Sequence, residues 1–306
     1  MQAWERQASE RGQHPPAIGS ASFINGYSIE VLPRTAAKIE SFRQLLPADT
    51  RIYIANVEGT PLDDMVRTAK RLRDEGFAVM PHIPARFIRD IAEFEHWLRR
   101  YREEADVHEA LVIGGDAAKP VGVIDSAMHL FESGLFDKYG FTRLHVAGHP
   151  EGNANISGGA ASRLDDVLLW KQAFADHTDA KMAIVTQFFF DAEPVIAWVN
   201  TLRDIGVTLP VHVGVAGPTK LQSLIRYALS CGVGLSVAVL RKRALDLSKL
   251  LLPYEPDDVL SALASYATKT AGAGIGQVHF FPLGGIERTI QWANSRMMSH
   301  SASGAS

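Results

Sequence analysis

The sequence holds one cysteine, Cys231, in 306 residues. No disulfide can form within such a chain, and the expected compartment is a reducing one, the cytoplasm. Long apolar runs are also lacking. None approaches the ~18 uninterrupted residues of a membrane span. Charge is nearly balanced, with 31 Lys and Arg against 34 Asp and Glu and a net charge of −3. A chain without a bulk basic excess is not expected to bind nucleic acid or a membrane surface. Met1 to Ala21 carries Pro15-Pro16 and lacks the apolar segment of an export signal. What is present is an ordinary globular composition, 46% hydrophobic and 21% charged, which excludes a disordered or collagen-like chain.

Short apolar runs that end in Gly, Pro or a polar cluster alternate with longer stretches of helical spacing. The strands expected are Ser28–Leu32, Arg51–Asn56, Ala78–His82, Glu109–Gly114, Arg143–Ala147, Met182–Phe189, Val211–Val215 and Gln277–Pro282. Helices are expected between them, including one over Ser126–Lys138 and a last one over Ile286–Met298. Gly232–Leu240 is a further apolar stretch, a short strand or part of a crossover. A doubly wound open sheet shares this alternation. The count of eight favours a single α/β domain, a closed (β/α)8 barrel, as does the lack of a Gly-x-Gly-x-x-Gly turn after the first strand. The barrel is expected over residues 22–298, with weakly ordered tails at 1–21 and 299–306.

A barrel of this kind works at the C-terminal ends of its strands. Glu30 interrupts an apolar strand. It either faces outward beside a surface base or lies buried, where desolvation would raise its pKa toward neutrality. Asp116 follows Gly114-Gly115 and reads either as a helix cap or as a group beside a flat ligand. Gln187 sits among bulky apolar residues. Its amide either bonds the backbone or matches the edge of a heterocycle. His82, His149 and His279 invite a metal-dependent hydrolase reading. The lack of a His-x-His pair or a second Cys favours neutral histidines and no metal.

Taken in order and spacing, these strand ends resemble the methylenetetrahydrofolate reductase family. The matching pieces are Ser28-Ile29-Glu30 with Pro33-Arg34-Thr35, Pro81-His82, Gly115-Asp116, Pro150-Glu151-Gly152, Thr186-Gln187-Phe188-Phe189-Phe190-Asp191 and His279-Phe280. The resemblance implies an eight-stranded β/α barrel and a cytoplasmic oxidoreductase of one-carbon metabolism. Hydride would pass between NAD(P)H, FAD and methylene- or 5-methyltetrahydrofolate, in either direction, with the flavin carrying the redox chemistry. It implies Glu30 and Asp116 as catalytic groups, Glu30 assisting proton transfer and Asp116 favouring a cationic iminium. It also implies Asp116, Gln187 and Phe189 as folate contacts. The cofactor contacts it implies are His82, Ile113, Gly114, Gly115, Asp116, Ala147, His149, Asn153, Asp165 and Lys171. Tetrahydrofolate derivatives would be the partners, with a homo-oligomer as a further expectation.

The sequence also departs from the family pattern. Gly114 stands where an Arg is usual, and His149 and Asn153 stand where a Tyr and a His are usual. Residues 165–172 keep one basic residue, Lys171, of a usual pair. A Thr after the second strand is replaced near Ala55-Asn56, and an Arg after the eighth by Gly284-Gly285. Each lost charged hydrogen bond removes roughly 1.5–3 kcal/mol of affinity. Weak FAD binding is therefore expected. A folate-binding regulatory barrel without redox activity is the alternative these losses motivate.

Overall fold

A computed structural model describes residues 22–152, 161–230 and 253–303. Eight parallel strands close into a barrel in the order β1 to β8. They are β1 Ser28–Val31, β2 Arg51–Ile54, β3 Ala78–Pro84, β4 Glu109–Ile113, β5 Arg143–Gly148, β6 Lys181–Phe189, β7 Val211–Ala216 and β8 Ile275–Phe281. The eight-stranded barrel read from the sequence is therefore the fold, with strand ends within two residues of expectation. The Ser126–Lys138 segment is two helices, Ala127–Glu132 and Leu135–Lys138. The last helix runs past Met298 to Ser303, where a tail was expected. Gly232–Leu240 and Asn153 lie outside the described residues.

The strands are rich in Val and Ile, which suit a pleated surface buried on both faces. One set of alternate residues packs outward against the helices: Ile29, Val31, Ile52, Ile54, Val79, Ile83, Val112, Val146, Ile184, Val213, Val278 and Phe280 belong to one core cluster. The register puts the other set inside the barrel. There the apolar contribution is small, with Tyr53, Met80, Leu111 and Val185 forming a separate cluster. The rest of the interior is polar. Ser28, His145 and His279 are fully buried, and His82 and His212 nearly so. Barrel interiors are usually filled by branched apolar side chains. At the N-terminal end Glu109 is held by Arg51 at 2.5 Å and Arg143 at 3.2 Å.

One irregularity shapes the mouth. The β6–β7 register shifts between Val185 and Phe188, so an extra residue bulges from β6. The Thr186 hydroxyl accepts from the Gly214 N–H at 2.8 Å and donates to the Gln187 carbonyl at 2.8 Å. These bonds satisfy backbone groups that the bulge takes from the ladder.

The buried imidazoles make stability depend on pH. Burial, with neighbouring positive charge, pushes His145 well below its usual value and His212 down to about 3. His279 is lowered by burial as well. In the unfolded chain each titrates near 6.5. Below that value the unfolded state binds more protons, so folding loses up to ~1.4 kcal/mol per pH unit for each imidazole. Stability should be greatest above about pH 6.5 and fall steeply toward pH 4. Urea midpoints between pH 7.5 and 4 measure this; a flat profile would show the imidazoles are not buried neutral.

Candidate functional site

Glu30 occupies the third position of β1. That parity turns it inward, toward the C-terminal mouth. Its Oε2 lies 3.1 Å from Nε2 of His82 on β3 and 3.8 Å from Nε2 of His279 on β8. The carboxylate is 18% exposed and His279 is fully enclosed. Nδ1 of His279 is 2.9 Å from the Ser28 hydroxyl. A Ser28 O–H donated to Nδ1 places the remaining ring proton on Nε2, facing Glu30. Burial alone would raise the Glu30 pKa, and this was the expectation. The two imidazoles outweigh it and hold the carboxyl at about 2. Glu30 is therefore inward, as the buried reading has it, but ionised at neutral pH.

Further polar groups continue below. The Tyr53 ring meets His279 edge-on at 4.4 Å, and its hydroxyl is 2.6 Å from Nδ1 of His145. His145 in turn meets the His212 ring at 4.8 Å. Ser28, Tyr53, His145 and His212 were missed as site-supporting residues. The signal was available: each falls on the inward parity of its strand, where a polar residue needs a reason.

The other expected residues divide as follows. Ile113 and Ala147 are half-buried near the ends of β4 and β5, with Ile113 packed on the inner cluster. At Gly114, which follows the C-terminal end of β4, an added Cβ would meet nothing within 4 Å. Gly115 has φ +91° and packs against Pro84, where a Cβ would lie at 3.0 Å. A side chain there would be strained. Asp116 follows and is exposed. Gln187 is half-buried in the bulge. Phe189, expected to touch folate, is instead buried in the layer between barrel and helices. The bulge reverses the alternation after Val185, so Phe188 pairs with inward Gly214 and Phe189 with outward Val215.

Asp165 is half-buried on the Ala161–Ala175 helix. Lys171, on the same helix, is 7% exposed and donates from Nζ to the Ala147 carbonyl at 2.9 Å. Desolvation lowers its pKa to about 8. His149 is lowered to about 4 by burial and by the Lys171 charge, so it carries no charge at neutral pH. Lys171 is thus the single cation of the expected cofactor set, and it is turned into the protein. The described residues of that set offer no free cation to a pyrophosphate and do not complete a site for FAD. Because its burial is costly, Lys171→Met should raise stability by roughly 1–2 kcal/mol at pH 7. The sign follows from the lowered pKa: the cost is present below about pH 8 and fades as pH rises toward 10.5. A melting midpoint that falls at pH 7 would show a paired ammonium.

Among the described residues no cluster of three His, Cys, Asp or Glu side chains is arranged to hold a metal ion. No helix among them is long and apolar enough to cross a membrane.

No family model matches the chain. A stretch of 158 residues, 50% of the chain, is 25% identical to methylenetetrahydrofolate reductase 1 of Schizosaccharomyces pombe. The match spans 24% of that protein's length. Among solved structures, an uncharacterized protein from Clostridium thermocellum that binds two copies of 5-methyl-5,6,7,8-tetrahydrofolic acid superposes with a TM-score of 0.59 at 11% identity. That match covers 92% of this chain and 96% of the other. A 7,8-dihydropteroate synthase from Vibrio fischeri ES114 matches at a TM-score of 0.44 and 11% identity, over 91% and 94% of the two chains. The likeness to the Clostridium thermocellum protein is that of a shared barrel.

Proposed function

We propose that the chain binds tetrahydrofolate derivatives across the barrel mouth and interconverts 5,10-methylene- and 5-methyltetrahydrofolate. The observation that carries this reading is Glu30, an ionised carboxylate on the inner wall near the C-terminal end of the barrel, flanked by two imidazoles. The sequence similarity to the fission yeast reductase supports it, and so does the fold shared with the Clostridium thermocellum protein that binds a methylated folate.

The reaction needs two things from the protein. Opening the methylene bridge breaks a carbon–nitrogen bond and leaves a cationic iminium, and the departing nitrogen takes up a proton. Glu30 and its imidazoles handle that proton, within the ~10²–10⁴-fold range of general acid–base catalysis. The negative charges of Glu30 and Asp116 favour the cation, which then accepts hydride. A reduced nicotinamide is proposed as the hydride source. FAD is proposed only as a weakly held group, because Lys171, the one cation the resemblance implies for its phosphates, is turned into the protein. The same groups serve both directions.

The inward Lys171 favours a second reading, a folate-binding barrel without redox activity. An anaerobic assay with NADH or NADPH and methylenetetrahydrofolate, with FAD added or omitted, separates the two. Turnover in either condition supports the enzyme. Folate binding without turnover in both selects the binder, and absence of both binding and turnover overturns each.

A further inference from the structure

Held well below the usual carboxylate range by the two imidazoles, Glu30 is ionised at neutral pH. Glu30 alone is therefore a poor store for the proton that the proposed reaction needs. Its surroundings supply one. The groups that face it are His82 from β3, His279 from β8 and Tyr53 from β2, with Ser28 on its own strand. These are not equivalent. His279 is fully enclosed, its Nδ1 is occupied by Ser28, and its Nε2 stands 3.8 Å away. The Tyr53 hydroxyl is engaged by His145. His82 is closer, at 3.1 Å. Its Nε2 is buried, has no aligned hydrogen-bond partner, and has the Glu30 carboxylate beside it. A small ring rotation would align the two. His82 also lies at the mouth and keeps an exposed edge. Between the two, β2 continues its inward parity into Ala55, a methyl group that leaves them room to meet.

We propose that Glu30 and His82 hold one proton between them, and that His82 is the reservoir that loads Glu30 for each transfer to substrate. This rests on the proposed function and deepens it. In the resting pair the proton sits on the His82 imidazole and Glu30 is ionised. As the substrate nitrogen leaves carbon, a Glu30 O–H bond breaks and an N–H bond forms on that nitrogen. An N–H bond of His82 then breaks as the Glu30 O–H bond reforms, leaving a neutral imidazole. When product leaves, a proton from water in the emptied mouth returns to Nε2 of His82 through the Glu30 carboxylate, which is 18% exposed. The pair has net charge zero when loaded and −1 when spent. In the oxidising direction the same proton runs back. His82 is thus a positioning residue acting through Glu30.

Two readouts test the pair, and the first needs neither folate nor turnover. In the full chain labelled with ¹³C-carboxylate glutamate, infrared difference spectra of wild type against Glu30→Gln isolate the Glu30 band. Over the acid range in which circular dichroism shows the chain still folded, that band should stay ionised in wild type. In His82→Gln its midpoint should rise by at least about one pH unit, toward the ordinary carboxylate value. His82→Asn serves if the Gln variant does not fold. An unchanged midpoint in a folded variant overturns the pair. The second readout is turnover. His82→Ala should slow folate turnover by ~10², with the deficit growing as pH rises, and added imidazole should restore part of it. Glu30→Gln and the Glu30→Gln/His82→Gln double variant should be equally slow, because the two act as a unit. Additive losses with no imidazole rescue would make His82 merely structural. If wild type neither binds nor turns over folate, the function fails and the infrared arm still decides the pair.

Discussion

Glu30→Gln should slow folate turnover by ~10²–10⁴, the largest catalytic effect expected of any single substitution here. The amide matches the carboxylate in shape and stays hydrogen-bonding, so the mouth keeps its form. What it loses is the charge that His82 and His279 face at 3.1 and 3.8 Å. Without that carboxylate the two imidazoles lose the acceptor they face, and no group remains to pass a proton to the leaving nitrogen. Reduced-folate affinity should stay within a few-fold of wild type, because the ring contacts are untouched. Reduction of added flavin by NADH, followed alone, should be unaffected, since that half of the chemistry needs no proton from Glu30. Steady-state turnover beside calorimetric affinity makes the measurement. Near wild-type turnover would remove Glu30 from the chemistry.

Gly214→Ala should cost at least ~3 kcal/mol of stability. A Cβ built at Gly214 would stand 2.5 Å from the Thr186 carbonyl oxygen, 2.6 Å from that of Gln187 and 2.7 Å from Phe281. The first two are backbone atoms of the bulge. No side-chain rotation relieves the clash, and the β6–β7 contact must open. The same opening would take the Gly214 N–H from the Thr186 hydroxyl, leaving a buried donor unpaired. Thermal unfolding followed by circular dichroism should show a midpoint lower by roughly 6 °C or more. Because the bulge presents Gln187, folate affinity should fall with it. A midpoint within about 2 °C of wild type would mean that the strands do not approach as closely as described.

Much of the fold was legible because its strands are short β-branched runs stopped by Gly or Pro. A closed barrel buries both faces of such runs. The runs alone left Glu30 open between outward and inward, and the resemblance implied the inward place. Three features were not legible, each for a physical reason. A buried Glu30 was expected to have a raised pKa, because the strand shows desolvation but not the two imidazoles, which come from β3 and β8. Phe189 was expected at the ligand, because the β6 bulge that turns it outward depends on Thr186 and Gly214, on different strands. Lys171 was expected to face a cofactor. Its place one helical turn from buried Leu168 put it on the covered face, a signal that the resemblance to other barrels obscured.

The central claim, that a reduced folate sits in the barrel mouth, is tested most directly by calorimetric titration of 5-methyltetrahydrofolate into wild type and Gly114→Trp. A Cβ at Gly114 would meet nothing within 4 Å, and the residue directly follows the C-terminal end of β4, so an indole there is expected to obstruct the mouth. The account predicts saturable binding to wild type, and its loss by at least ~10²-fold in a Gly114→Trp chain whose melting midpoint is unchanged. Equal affinity in the two proteins, or no binding to wild type, would contradict it.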